Sequence, residues 1–133
     1  MQPVILYVED DTLSRKVMND FLKRRLGYQY ITIFEDSEDF VEKLEMLSPV
    51  PDIIFLDIHM QPLDGFEMLQ QIRQNPLFHA TRVVALTASV MNEEVKLLQQ
   101  KGFDGVFAKP LDVDAFPKVL QRILDGEQVW IIK

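Results

Sequence analysis

Cysteine is absent from the 133 residues, which excludes a disulfide scaffold, a thiolate metal site and a cysteine nucleophile. Positive charge is in short supply. Lys and Arg number 14 against 21 Asp and Glu, a formal net charge of −7. Nucleic acid and anionic membrane faces both call for a basic surface, so direct binding to either is expected to be absent. Long hydrophobic runs are missing too. Wholly apolar stretches such as residues 53–56 and 83–86 fall far below the roughly 20 residues of a membrane span. Met1-Gln2-Pro3 opens no basic segment followed by an apolar one, the signature of a secretory signal. No repeat at a fixed period, low-complexity segment or linker interrupts the chain. Its length fits one domain, and 47% hydrophobic with 26% charged residues is an ordinary globular mix. The expectation is an acidic, cytoplasmic, single-domain protein.

Apolar runs alternate with amphipathic stretches five times. Val4-Ile5-Leu6-Tyr7-Val8 is continuous, as suits a strand buried on both faces. Leu13, Val17, Phe21 and Leu22 then recur at helical spacing, with Gly27 placed to end the helix. Ile31-Thr32-Ile33 alternates and predicts a more exposed edge strand. Asp36 or Ser37 is the expected cap of a helix that buries Phe40, Val41, Leu44 and Leu47. Ile53-Ile54-Phe55-Leu56, Val83-Val84-Ala85-Leu86 and Gly105-Val106-Phe107-Ala108 read as the remaining strands. The helix between the first two of these carries Phe66, Leu69 and Ile72 and stops before Pro76. The next has Asn92 as its expected cap. The last carries Phe116, Leu120 and Ile123. Asp114 is its expected cap, because a cap at Asp112 would put Pro117 beyond the tolerated first turn. Strands separated by helices predict right-handed crossovers and an α/β, doubly wound parallel sheet.

In such sheets ligands bind at the carboxyl ends of the strands. The first strand runs into Glu9-Asp10-Asp11, the third into Asp57, the fourth into Thr87 and the fifth into Lys109-Pro110. Each feature alone has an ordinary explanation: a helix cap, a structural hydroxyl, a solvated ammonium. Their convergence on one edge carries the argument. Carboxylates meeting in one cleft repel, so at least one keeps its proton unless a cation sits among them. Oxygen ligands without His or Cys favour a hard ion, magnesium ahead of calcium where the protein cage is incomplete. Lys109 and Thr87 suit the oxygens of a phosphoryl group, and an Asp beside such partners can attack phosphorus.

The segments Val8-Glu9-Asp10, Leu56-Asp57-Ile58-His59-Met60 with Asp64-Gly65, Leu86-Thr87-Ala88 and Ala108-Lys109-Pro110 resemble, in order, the four signature segments of response-regulator receiver domains. The likeness runs over about residues 4–124. It implies a flavodoxin-like (βα)5 fold with strand order 2-1-3-4-5. It also implies that Asp57 is a phosphoacceptor served by a histidine kinase or a histidine phosphotransfer protein. Magnesium would be held by Glu9, Asp10, Asp57 and the backbone carbonyl of His59. Lys109 would pair with the phosphoryl group and Thr87 would follow it as the switch hydroxyl, while Asp11 starts the following helix. The resemblance further implies a signalling receiver that catalyses nothing beyond its own phosphorylation and slow dephosphorylation. It would act through a downstream protein target, as a monomer or weak dimer.

Departures from the family are specific. Gln61 intervenes between Met60 and the proline, which here is Pro62. The family's switch aromatic, three residues before the Lys, is Val106, while alternation turns the adjacent Phe107 to the opposite face. The resemblance implies that His59 and Ser89 border the path of the hydrolytic water, and these two, with Ala88, are candidate modulating residues. Other classes fit less well. A haloacid-dehalogenase-type phosphatase needs an Asp where His59 stands, and a flavodoxin needs a phosphate loop where three acidic residues stand. A receiver that serves only as a docking module conflicts with an intact Asp57, Glu9, Asp10, Thr87 and Lys109. Residues 1–125 are assigned to the receiver and 126–133 to a tail, where Val129-Trp130-Ile131-Ile132 is expected to pack on the domain or to contact a partner.

Overall fold

The five apolar runs form five parallel strands, β1 (Val4–Val8), β2 (Tyr30–Phe34), β3 (Ile53–Asp57), β4 (Arg82–Thr87) and β5 (Gly105–Ala108), and each is followed by a helix. The helices are α1 (Thr12–Asp20), α2 (Phe40–Glu45), α3 (Gly65–Gln74), α4 (Asn92–Lys101) and α5 (Phe116–Leu124). The structure is a computed structural model and describes residues 2–130. The sheet order over these strands is β2-β1-β3-β4-β5, the doubly wound flavodoxin-like arrangement expected. A sixth strand, β6 (Val129–Trp130), adds in parallel to β5, pairing Gly105 with Val129 and Val106 with Trp130.

Burial follows from position in the sheet. Central β3 is buried at every residue, whereas edge strand β2 alternates between exposed and half-buried, as its Ile-Thr-Ile pattern predicts. Successive side chains leave a strand on opposite faces, so each strand feeds two cores. Ile5, Tyr7, Phe55 and Leu86 pack with Met18 and Leu22 from the first helical stretch and Phe116 and Leu120 from α5. Leu6, Val8, Leu56 and Ala85 pack with Phe40 and Leu44 of α2, Leu69 and Ile72 of α3 and Leu98 of α4.

Several helix starts differ from the sequence reading. Asp11 caps α1 as expected, accepting from the Ser14 N–H at 2.8 Å. Neither Asp36 nor Ser37 caps α2, which follows Asp39 at φ 52° with no side-chain cap. Asp36 closes a local turn onto the Glu38 N–H, and the buried Ser37 hydroxyl is drawn to the Leu63 N–H of the β3–α3 loop, 2.8 Å away. Asn92 is the first residue of α4 rather than its cap. Asp114 does not cap α5, which follows Ala115 with no side-chain cap, while Asp112 Oδ1 accepts from the Asp114 and Ala115 N–H groups in the turn before it. The turn so formed precedes the helix proper, so Pro117 still falls in the first turn. α3 opens with a reciprocal capping box between Asp64 and Glu67.

Two glycines let the chain end reach the sheet. Gly126, at φ +103°, turns the chain off α5. A Cβ on Gly105 would lie 2.9 Å from the Val129 carbonyl oxygen, so the close approach of β6 requires glycine there. Ile131 and Ile132 of the tail lie outside the described residues.

Candidate functional site

Parallel strands align their carboxyl ends, and the four polar segments meet there. Glu9 directly follows β1 and stays tied to the sheet through its N–H, which donates to the Phe34 carbonyl at 3.0 Å. Its side chain is fully buried, and Oε1 accepts from Lys109 Nζ at 2.7 Å and from the Tyr7 hydroxyl at 2.9 Å. Oε2 accepts a long bond from the Asp11 N–H at 3.4 Å. Asp57, the last residue of β3, is 7% exposed. Its Oδ1 accepts from the His59 N–H at 3.2 Å, and Oδ2 lies 3.4 Å from Lys109 Nζ. Lys109 directly follows β5, where its N–H donates to the Thr87 carbonyl at 2.9 Å. Its ammonium thus bridges the ends of β1 and β3.

The exposed Asp10 completes the group. Glu9, Asp10 and Asp57 each offer a carboxylate oxygen, all within 4.8 Å of one another. Three carboxylates with one ammonium leave the cluster formally at −2. Burial, reinforced by neighbouring Asp57, pushes the Glu9 carboxyl above its ordinary value despite the Lys109 bond. Burial by itself would lower Lys109, but its hydrogen bond to Glu9 and the charges of Glu9 and Asp57 outweigh that and hold the ammonium above its usual range. Burial also pushes the Tyr7 phenol up, and Glu9 adds to the effect. A partly buried, oxygen-rich, net-negative cluster is what a hard divalent cation neutralises. It opens beside a cleft of about 570 Å³ lined by Asp10, Ile58, His59, Met60, Gln61 and Phe66.

The remaining candidates fall around this centre. Thr87 is buried at the end of β4, and its hydroxyl accepts from the Ser89 N–H at 3.1 Å and faces the Ser89 carbonyl at 3.3 Å. In this state it is engaged in its own loop. The Ser89 hydroxyl donates to Glu94 Oε1 of α4 at 2.6 Å. Ala88 and the His59 side chain are exposed at the rim. Val106 is fully buried beneath α4 in the core that holds Leu98 and Phe103. Phe107 lies in the other core, where its ring centroid is 4.7 Å from that of Phe116.

Three residues that the sequence did not assign to the site take part. Tyr7 reaches Glu9 from two positions earlier, and strand alternation, which puts both on one face, was the available signal. Arg15 donates to the Glu9 carbonyl at 3.0 Å, one helical turn into α1. Glu94 ties Ser89 to α4, a contact with no local signal.

Comparison with known proteins agrees with this fold. The family model described as the response regulator receiver domain matches residues 5–121. The sensor histidine kinase RcsC of Salmonella typhi is 35% identical over 118 residues, covering 88% of this chain and 12% of that protein. Stress response regulator protein 1 of Candida albicans is 31% identical over 107 residues, covering 80% of this chain and 37% of that protein. The chain therefore spans about an eighth and just over a third of the length of these two relatives. Among solved structures, the receiver domain of sensor histidine kinase PA1611 from Pseudomonas aeruginosa, which holds magnesium in its active site cleft, superposes with a TM-score of 0.80 at 28% identity. The match covers 95% of this chain and all of that one. The chemotaxis response regulator CheY4 of Vibrio cholerae, at 24% identity and a TM-score of 0.81, covers 92% of this chain and 99% of its own and shares the fold.

Proposed function

This chain belongs to the family of response regulator receiver domains, and from that premise we propose that Asp57 is its phosphoacceptor, with magnesium held by Glu9, Asp10, Asp57 and the His59 carbonyl. The observation that carries the reading is Lys109. Its ammonium lies 2.7 Å from Glu9 and 3.4 Å from Asp57, so one cation already spans Glu9 and the acceptor. The three clustered carboxylates fit a hard cation by donor type and by charge. When bound, magnesium supplies positive charge for the crowded carboxylates and the incoming phosphoryl oxygens.

The chain's own residues do the rest. An oxygen of Asp57 attacks the phosphorus of a phosphohistidine on a kinase or phosphotransfer protein. An O–P bond forms as the N–P bond breaks, and the departing imidazole nitrogen keeps the bonding pair and takes up a proton. The His59 N–H, already on Asp57 Oδ1, orients the carboxylate. Lys109 pairs with the transferred group through a charge-assisted bond. Thr87 then exchanges its loop bonds to Ser89 for the phosphoryl oxygen.

Val106 has no ring to move into the space Thr87 leaves. The signal instead passes through loop residues 88–91 into α4, a route supported by the Ser89–Glu94 bond. A change in the affinity for a downstream protein is the output.

Intact-mass measurement with acetyl phosphate and magnesium tests the acceptor. Wild type gains one phosphoryl group and Asp57→Asn gains none; equal labelling of the mutant overturns the assignment. Calorimetry tests the cation site, with Asp10→Asn expected to bind magnesium at least several-fold more weakly than wild type.

A further inference from the structure

Lys109 has two claims on its charge. At present it holds Glu9 Oε1 at 2.7 Å and stands 3.4 Å from Asp57 Oδ2. Once a phosphoryl group sits on Asp57, the ammonium is needed there. Glu9 is 0% exposed, so water cannot replace the bond that Lys109 gives up. A buried carboxylate oxygen stripped of its partner is a heavy cost. The structure contains the remedy one strand alternation away. Tyr7, 1% exposed, points its hydroxyl along the same face of β1 and donates to that same Oε1 at 2.9 Å.

We propose that Tyr7 is a positioning residue of this site: its hydroxyl anchors Oε1 of Glu9, keeps it satisfied when Lys109 turns to the phosphoryl group, and so leaves Oε2 directed to the cation. The proposal rests on the phosphoacceptor reading above. It accounts for the division of labour on Glu9, whose Oε1 has two strong donors while Oε2 has one long contact among the described residues. It also accounts for why a side chain one methylene longer than Asp can serve at a site that needs a fixed carboxylate. The additional torsion of Glu is free unless something holds the end of the arm, and Tyr7 does so from within the rigid sheet. Packing alone does not explain the residue. The ring fills the core beside Phe55 and Phe21, a task Phe performs as well, whereas the hydroxyl's hydrogen bond among the described residues is to the carboxylate.

Tyr7→Phe removes the hydroxyl and keeps the ring. Calorimetric titration with magnesium is expected to give a dissociation constant about five-fold above wild type, the range for one lost hydrogen bond. The rate of labelling by acetyl phosphate at saturating magnesium is expected to fall as well. The decisive control repeats the substitution in a Glu9→Asp background, where the shorter arm withdraws the carboxylate from the hydroxyl. There Tyr7→Phe should change magnesium affinity less than two-fold. No loss in the single variant, or the same loss in both backgrounds, overturns the proposal, the second because a purely structural role is additive. Wild type that neither binds magnesium nor takes up phosphate removes the parent reading and this one together. Wild type that does both, beside an indistinguishable Tyr7→Phe, removes this one alone.

Discussion

At the amino end of the sheet, Asp104 is paired with a single cation. Its Oδ2 accepts from Arg73 Nη2 at 2.7 Å and from the Val83 N–H at 2.8 Å, while the same guanidinium donates to the carbonyls of Thr81 and Gly102. One carboxylate meets one guanidinium, and the charges balance. At the carboxyl end, Glu9, Asp10 and Asp57 cluster around a single ammonium that contacts only Glu9 and Asp57 of the three, and the Glu9 carboxyl is pushed up by burial. Both clusters are partly buried ion pairs on strand ends. What separates them is charge balance. A balanced network holds elements together, whereas an unbalanced one carries a standing cost that only a further charged participant relieves.

Breaking the balanced end has the largest expected effect on stability. Asp104→Ala strands the Arg73 guanidinium and the Val83 N–H, and urea unfolding should register a loss of about 3 kcal/mol. Labelling of Asp57 in the fraction that stays folded should persist. A loss below about 0.5 kcal/mol would remove the contrast.

The unbalanced end should respond with the opposite sign. Glu9→Gln without magnesium is expected to raise stability at pH 7, because burial holds the native carboxyl above its unfolded value. The native carboxyl sits above the unfolded value of 4.5, so the folded state binds that proton more tightly. The wild type therefore loses stability as pH rises from 4.5 through the raised native value and recovers it as pH falls. Melting curves at pH 7 and pH 5 should show the two proteins converging at the lower pH. A glutamine variant that is less stable at pH 7 would mean that Lys109 alone balances the site.

The smallest effect sharpens the comparison at β6, whose Val129 N–H donates to the Asp104 carbonyl at 3.3 Å and so reinforces the balanced end. Deleting residues 129–133 should lower the melting temperature by about 4 °C, consistent with roughly 1 kcal/mol. Magnesium affinity and oligomeric state should be unchanged. A dimer that becomes a monomer on deletion would instead assign this edge to self-association.

Much of the site was legible because chemistry and strand ends coincide in the linear order. Glu9-Asp10, Asp57, Thr87 and Lys109 each close an apolar run, and parallel pairing then has no choice but to gather them on one edge. Capping was less legible. Ser37 sits where a cap would be sought, yet its hydroxyl serves Leu63, 26 positions away, a partner that local sequence cannot name. Neither Asp112 nor Asp114 caps the last helix, because a turn closed by the Asp112 side chain is inserted before it.

The period of the apolar residues determined the strands, the helices and the alternation that sends Val106 and Phe107 to different cores. These are properties of neighbours in the chain, fixed by backbone geometry that repeats every two or 3.6 residues. The tertiary structure alone decided who shares a charge with whom. That Lys109 would bridge Glu9 and Asp57, that the Tyr7 hydroxyl would meet the same oxygen as Lys109, and that Trp130 would lie beside Val106 on a sixth strand all depend on distances between segments far apart in sequence. Electrostatic and hydrogen-bond energies change steeply with such distances and with exclusion of water, and neither quantity exists until the sheet has closed over the site.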